Sequence, residues 1–200
     1  MCRRHAFVQG LASGNLPRER FVYYLSQAAA LLESFSRAQA LALARAPDVE
    51  GVLAFESLLA YGLAECKWFD EEARRWDPEA DRTPGMATRS YSDFLLRVAA
   101  LDCAPAILAA TTPTLRLHEF LCRELEPILD PSTPYRDFVL RQAGDGHTRA
   151  AEQSEALLDR YAERGAPPAV SDRMTLNYRT AMKLEYHFFD AAWREAISIW

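Results

Sequence analysis

The chain has 200 residues, half of them hydrophobic, and a formal net charge of -5. That is enough apolar material for one full core, so a disordered chain is excluded and a single domain spanning 1–200 is expected. The 23 basic residues are scattered and form no stripe, so no nucleic-acid partner is expected.

Helix signals run the length of the chain. Residues 1–14 are a mixed pattern without the apolar stretch of a secretory signal. Pro17 opens a segment reaching about Arg45 without Gly or Pro, with Phe21, Tyr24, Leu25, Ala28, Leu31, Leu32, Phe35 and Ala38 as one apolar stripe. A second long helix is predicted over 48–76, with Val52, Phe55, Leu59, Leu63, Cys66 and Phe69 on its inner face. A loop covers 77–85, and a shorter helix 87–101. Residues 102–105 break the chain before a helix over 106–129 that contains Pro113. Asp130–Pro134 is a turn. Residues 135–164 read as a helix weakened by Gly144 and Gly146. After the 165–168 linker, Ser171 or Asp172 is placed to cap a last helix over 173–197. Strand alternation and hairpin turns are absent. The fold class is all-α, about seven helices in one bundle.

No run of 18 apolar residues is present, so no membrane partner is expected. The four cysteines, Cys2, Cys66, Cys103 and Cys122, form no CxxC pair. They read as free thiols filling apolar space in a cytoplasmic protein.

Sites in bundles are built from polar groups on inward faces. Glu185 is flanked by Ala181, Met182, Phe188 and Phe189 at helical spacing, which turns its carboxyl inward. Such a group serves as a general acid/base, or pairs with an Arg or Lys of another helix. The Thr111-Thr112-Pro113-Thr114 stretch, one turn before His118, reads either as a pocket wall at a proline kink or as a kink needed to close the bundle. Ala28, Ala29 and Ala30 leave room on a core face, for a ligand or for close helix packing. None of His5, His118, His147 and His187 has a Glu three residues before it, so no di-metal site is expected, and no cofactor is assigned. Gly-rich phosphate loops and nucleophile elbows are absent as well.

Several stretches, in order, resemble the TenA (thiaminase II) family. They are His5–Leu11 (HAFVQGL) with Gly14–Pro17, Phe21–Gln27 (FVYYLSQ), Tyr91–Leu96 (YSDFLL), Ile107–Leu125 and Leu184–Phe188 (LEYHF). The YSDFLL stretch is closest to the branch of the family that lacks the catalytic cysteine. The resemblance implies a heme-oxygenase-like helical bundle that assembles as a homo-oligomer, a dimer or a tetramer. It implies a small heterocyclic ligand and hydrolysis of an aminomethyl-pyrimidine in thiamin salvage, with some members cleaving thiamin itself. It makes Glu185 the catalytic acid/base and Tyr91 and Phe188 pocket residues. This chain departs from the pattern at the other ligand-binding positions. Ala28 stands where the family has a pyrimidine-binding aspartate, Thr114 where it has the nucleophilic cysteine, and His118, Leu31 and Gln142 where it has tyrosines. A Thr114–His118 pair, four residues apart on one helical face, is one arrangement that would activate the hydroxyl. The function expected is hydrolysis of an aminopyrimidine or related heterocycle; the alternatives are a non-catalytic binding relative and an oxygenase built on the same scaffold.

Overall fold

The computed structural model describes residues 2–165 and 167–194, and among them it contains helices and no strand. A 3-10 turn at Cys2–Arg4 leads into α1 (Ala6–Ser13). The sequence pattern alone assigns no helix here. His5 supplies the N-cap, its Nδ1 accepting from the Phe7 N–H at 3.2 Å, and Gly14 ends the helix in the left-handed region at φ 73°. Phe7, Val8 and Leu11 then bury one face. At Gly10 the chain folds back so closely that a Cβ would lie 3.0 Å from Cβ of Leu16.

Next come α2 (Arg18–Ala44) and α3 (Val49–Trp76), which pack along each other. All eight residues of the α2 stripe are buried. On α3 the expected stripe is displaced. Gly51, Ala54, Phe55, Leu58, Gly62, Glu65, Phe69 and Ala73 face inward, whereas Val52 and Leu63 are exposed. The reason is backbone proximity: a Cβ on Gly62 would stand 2.7 Å from Ser36 Oγ and 2.9 Å from a Phe35 ring carbon, so only small residues fit against α2 there. Rotating α3 to bring them inward carries Glu65 in as well.

The short α4 (Met86–Leu101) is followed by α5 (Ala104–Leu125), which starts with Pro105 in its first turn and closes with a 3-10 turn at Glu126–Ile128. Thr111 and Thr112 are buried but do not form the pocket wall, one of the two readings of this stretch; of the three threonines Thr114 alone lines a cavity beside His118. Thr111 Oγ1 donates to the carbonyls of Ile107 and Leu108, and Thr112 Oγ1 lies 2.8 Å from the Leu108 carbonyl and 2.7 Å from Ser154 Oγ. These bonds hold the helix together next to Pro113, which has no N–H to donate.

The helix expected over 135–164 is two, α6 (Arg136–Gln142) and α7 (Asp145–Glu163), because Gly144 adopts an extended conformation as N-cap of the second. Helix α8 (Pro168–Arg194) begins five residues before the expected start, so Ser171 and Asp172 lie within it and cap nothing. A proline in the first turn is preset for helix, which favours the early start. The expected end at Ile197 lies outside the described residues. Helix α5 packs on α8 and α7, so α2, α5 and α8 share one core. No helix is long and apolar enough to cross a membrane among the described residues. All four cysteines are free, but only Cys122 is the buried filler expected; Cys103 is exposed.

Candidate active site

Glu185 sits midway along α8 with no exposed surface. Its Oε1 accepts from the Tyr91 hydroxyl of α4 at 2.8 Å, and its Oε2 lies 3.0 Å from Nε2 of His118 on α5. Among the described residues no Arg or Lys is paired with it, so the structural reading of an ion pair to a basic side chain does not hold. Burial, and then the charge of Glu185, push the Tyr91 phenol well above its usual range, which keeps it protonated and a donor.

The direction of the other bonds follows. With its proton committed to Glu185, the Tyr91 oxygen accepts from Thr114 Oγ1, 2.9 Å away. On its other side the carboxylate accepts from His118 Nε2–H, and Nδ1 of the same ring lies 3.3 Å from the Tyr24 hydroxyl. The result is one chain of five groups, Thr114–Tyr91–Glu185–His118–Tyr24, contributed by four helices. Thr114 bonds to Tyr91 rather than to His118, so the pair suggested by their spacing is replaced by a longer path through the carboxylate.

Beside this chain lies a cavity of about 30 Å³. Thr114, His118, Phe188, Ala28, Leu31 and Gln142 line it. Glu185 and Tyr91 are not on its surface; each stands one hydrogen bond behind it, Glu185 through His118 and Tyr91 through Thr114. The cavity therefore gathers every sequence-predicted site residue, six in the wall and two in the layer beneath.

The opposite wall holds residues that sequence reasoning missed. Glu65 of α3 is buried; one oxygen accepts from Arg141, and the other from Gln142 Nε2 at 3.1 Å. Tyr61, also on α3, has its hydroxyl 2.5 Å from Nδ1 of His147, whose Nε2 lies 2.9 Å from the Leu115 carbonyl. A carbonyl only accepts, so Nε2 carries the proton and Nδ1 accepts from Tyr61. Burial above all, helped by His118, lowers the pKa of His147 to about 4, so the ring is neutral near pH 7. The signal that could have found Glu65 was the run of small residues Gly51, Ala54 and Gly62, which marks the inner face of α3.

Larger surface grooves exist, one of about 470 Å³ between α5 and α8. Its walls are mostly apolar and carry no linked acid, so chemistry and not size selects the smaller cavity. Among the described residues, no three His, Cys, Asp or Glu side chains are grouped to hold a metal ion.

Comparison with known proteins shows the family and the fold. The model of the TENA/THI-4/PQQC family matches residues 1–195. The chain is 31% identical to the mitochondrial bifunctional TH2 protein of Arabidopsis thaliana, covering 92% of this chain but 34% of that protein. It is 29% identical to the thiamine biosynthesis multifunctional protein ThiED of Corynebacterium efficiens, of which it spans 26%. With the aminopyrimidine aminohydrolase of Bacillus subtilis it shares 28% identity over 96% of this chain and 83% of that one. A TenA family transcription regulator from Silicibacter superposes with a TM-score of 0.86 at 26% identity, covering 96% of this chain and 89% of that one. A TenA homologue from Pyrococcus furiosus superposes at 0.85 with 21% identity, covering 95% and 91%. The all-α, heme-oxygenase-like architecture is thus that of the TenA structures, and the chain belongs to the TENA/THI-4/PQQC family.

Proposed function

We propose that this chain hydrolyses an aminopyrimidine or a related amino-substituted heterocycle in thiamin metabolism, with Glu185 as the acid/base. One observation carries the reading: the unbroken path from Glu185 Oε1 through the Tyr91 hydroxyl to Thr114 Oγ1 ends at the cavity wall. A proton leaving a nucleophile at Thr114, either the threonine hydroxyl itself or a water bound to it, passes to the Tyr91 oxygen while Tyr91 passes its own proton to Glu185. The carboxylic acid so formed returns a proton by the reverse route to the departing amine; where the threonine is the nucleophile, a water then displaces it from the ligand carbon, its proton taking the same route to re-form the Thr114 hydroxyl. Threonine is a weak nucleophile without such a base, and the path supplies one. Support also comes from the aminopyrimidine aminohydrolase that the chain resembles over most of its length.

A second reading, a binding protein without turnover, is favoured by the recessed position of Glu185, which has no atom on the cavity surface.

Turnover assays separate the two: ammonia released from the aminomethyl-pyrimidine, formate or formamide from its N-formyl derivative, and the thiazole from thiamin. The hydrolase reading expects turnover of at least one. It also expects Glu185→Gln and Tyr91→Phe each to lower kcat by about 10²- to 10⁴-fold, the usual range for loss of positioned proton transfer. Binding with no turnover by the wild-type protein leaves the second reading in place. Turnover unchanged in Tyr91→Phe rules out the path.

A further inference from the structure

The wall formed by α3, α6 and α7 has a chemistry that the proton path does not use. Of the groups on it, Glu65 is the charged one. Gln142 Nε2 is spent on Glu65, the Tyr61 hydroxyl on His147, and the His147 N–H on Leu115. These bonds leave the wall with acceptor capacity. A carboxylate accepts up to four hydrogen bonds; Arg141 and Gln142 donate to Glu65 and the Tyr61 hydroxyl lies within its reach as well, which still leaves room for a ligand donor. Arg141, which balances the charge, is outside the cavity lining; its guanidinium lies over the Trp68 ring, 4.4 Å from the centroid, with the side chain 39% exposed. Among the described residues no Lys or Arg lines the cavity, and across it Ala28 offers a methyl group where a longer side chain would fill the space. Tyr61, Phe69 and Phe188 supply flat apolar surface between the two polar ends.

We propose that Glu65 is the ligand-anchoring residue of this cavity: it accepts a hydrogen bond from the exocyclic amino group of a heterocycle, and from the adjacent ring nitrogen where that is protonated, while the reacting substituent points to Thr114. The site thereby selects amino-bearing, neutral or cationic rings and rejects their phosphate esters, whose phosphate would lie at the Thr114 end with no Lys or Arg among the described lining residues to meet it. This inference rests on the cavity being the ligand site of the proposed function. A donor edge facing Glu65 orients the ring, and a ring without that edge leaves a buried carboxylate short of partners, which is how a polar site rejects an analogue.

Titration calorimetry with three probes tests it: 4-amino-5-aminomethyl-2-methylpyrimidine, the same compound lacking the 4-amino group, and 4-amino-5-hydroxymethyl-2-methylpyrimidine phosphate. Wild-type protein is expected to bind the first at least about tenfold more tightly than either of the others, as a lost charge-assisted hydrogen bond requires. Glu65→Gln should lose that preference by weakening the first probe alone. Equal wild-type affinity for the first two probes overturns the anchor, and needs no variant to fold. So does an equal loss for both probes in Glu65→Gln, which is the mark of a purely structural residue. Tight binding of the phosphate ester overturns the selectivity. If the wild-type protein binds none of the three, the ligand site itself is wrong, a result distinct from binding without discrimination.

Discussion

His147 is held neutral by its surroundings, and this has a cost in acid. Its folded-state pKa is about 4, below the ordinary 6.5. Between those values the unfolded chain binds a proton that the folded chain does not, so stability falls as pH drops through the window and levels off below it. The loss is about 1.4 kcal/mol per pH unit, about 3 kcal/mol in all. Urea midpoints at pH 7 and pH 4.5 should therefore diverge more for the wild-type protein than for His147→Gln, whose amide can still donate to the Leu115 carbonyl. Parallel pH dependence in the two would show that His147 is not the group responsible. Legibility also differs residue by residue. Glu185 was readable because apolar neighbours surround it on both adjacent turns. Tyr91, Thr114 and His118 were readable as positions, but their order in one hydrogen-bonded path was not. That order depends on where α4, α5 and α8 cross, and no local pattern encodes the crossing.

Helix α3 shows why Glu65 escaped notice. Periodicity weights the large apolar residues, and on α3 several of them face solvent: Leu53 is 63% and Leu63 57% exposed. The inner face is set instead by how closely the backbone approaches α2. Gly62→Ala is the direct probe. Its methyl would meet Ser36 Oγ at 2.7 Å, an oxygen already donating to the Leu32 carbonyl, and the Phe35 ring at 2.9 Å. Overpacking of this kind costs about 1–3 kcal/mol, against a helix-propensity gain of about 1 kcal/mol, so the variant should be less stable. Gly146→Ala on α7 is the matched control. Nothing lies within 4 Å of its Cβ position, so the propensity term acts alone and raises stability by up to about 1 kcal/mol. Thermal melts of the two variants should shift in opposite directions; a stabilised Gly62→Ala would contradict the close approach. The same tertiary control explains the break between α6 and α7, where Gly144 in an extended conformation interrupts a pattern that otherwise reads as one helix.

At the scale of the whole molecule, six helices converge on one small cavity: α2, α3, α5, α6, α7 and α8 each place at least one side chain on its wall. The all-α class and the long α2 were legible in the sequence because Gly and Pro punctuate it cleanly and apolar residues recur at helical spacing. The cavity was legible on one side only, through the family resemblance and Glu185. Its other side comes from residues far apart in the chain, Glu65 and Gln142 being 77 positions apart. At about 30 Å³ the unliganded cavity has room for little more than one water, so a heterocycle must push its walls apart. The most direct test of the account is a crystal structure of the protein with 4-amino-5-aminomethyl-2-methylpyrimidine. The ring is expected inside the widened cavity, its amino edge on Glu65 and its aminomethyl group toward Thr114. A ring seated instead in the apolar groove between α5 and α8, with the Glu65–Gln142 wall untouched, would contradict it.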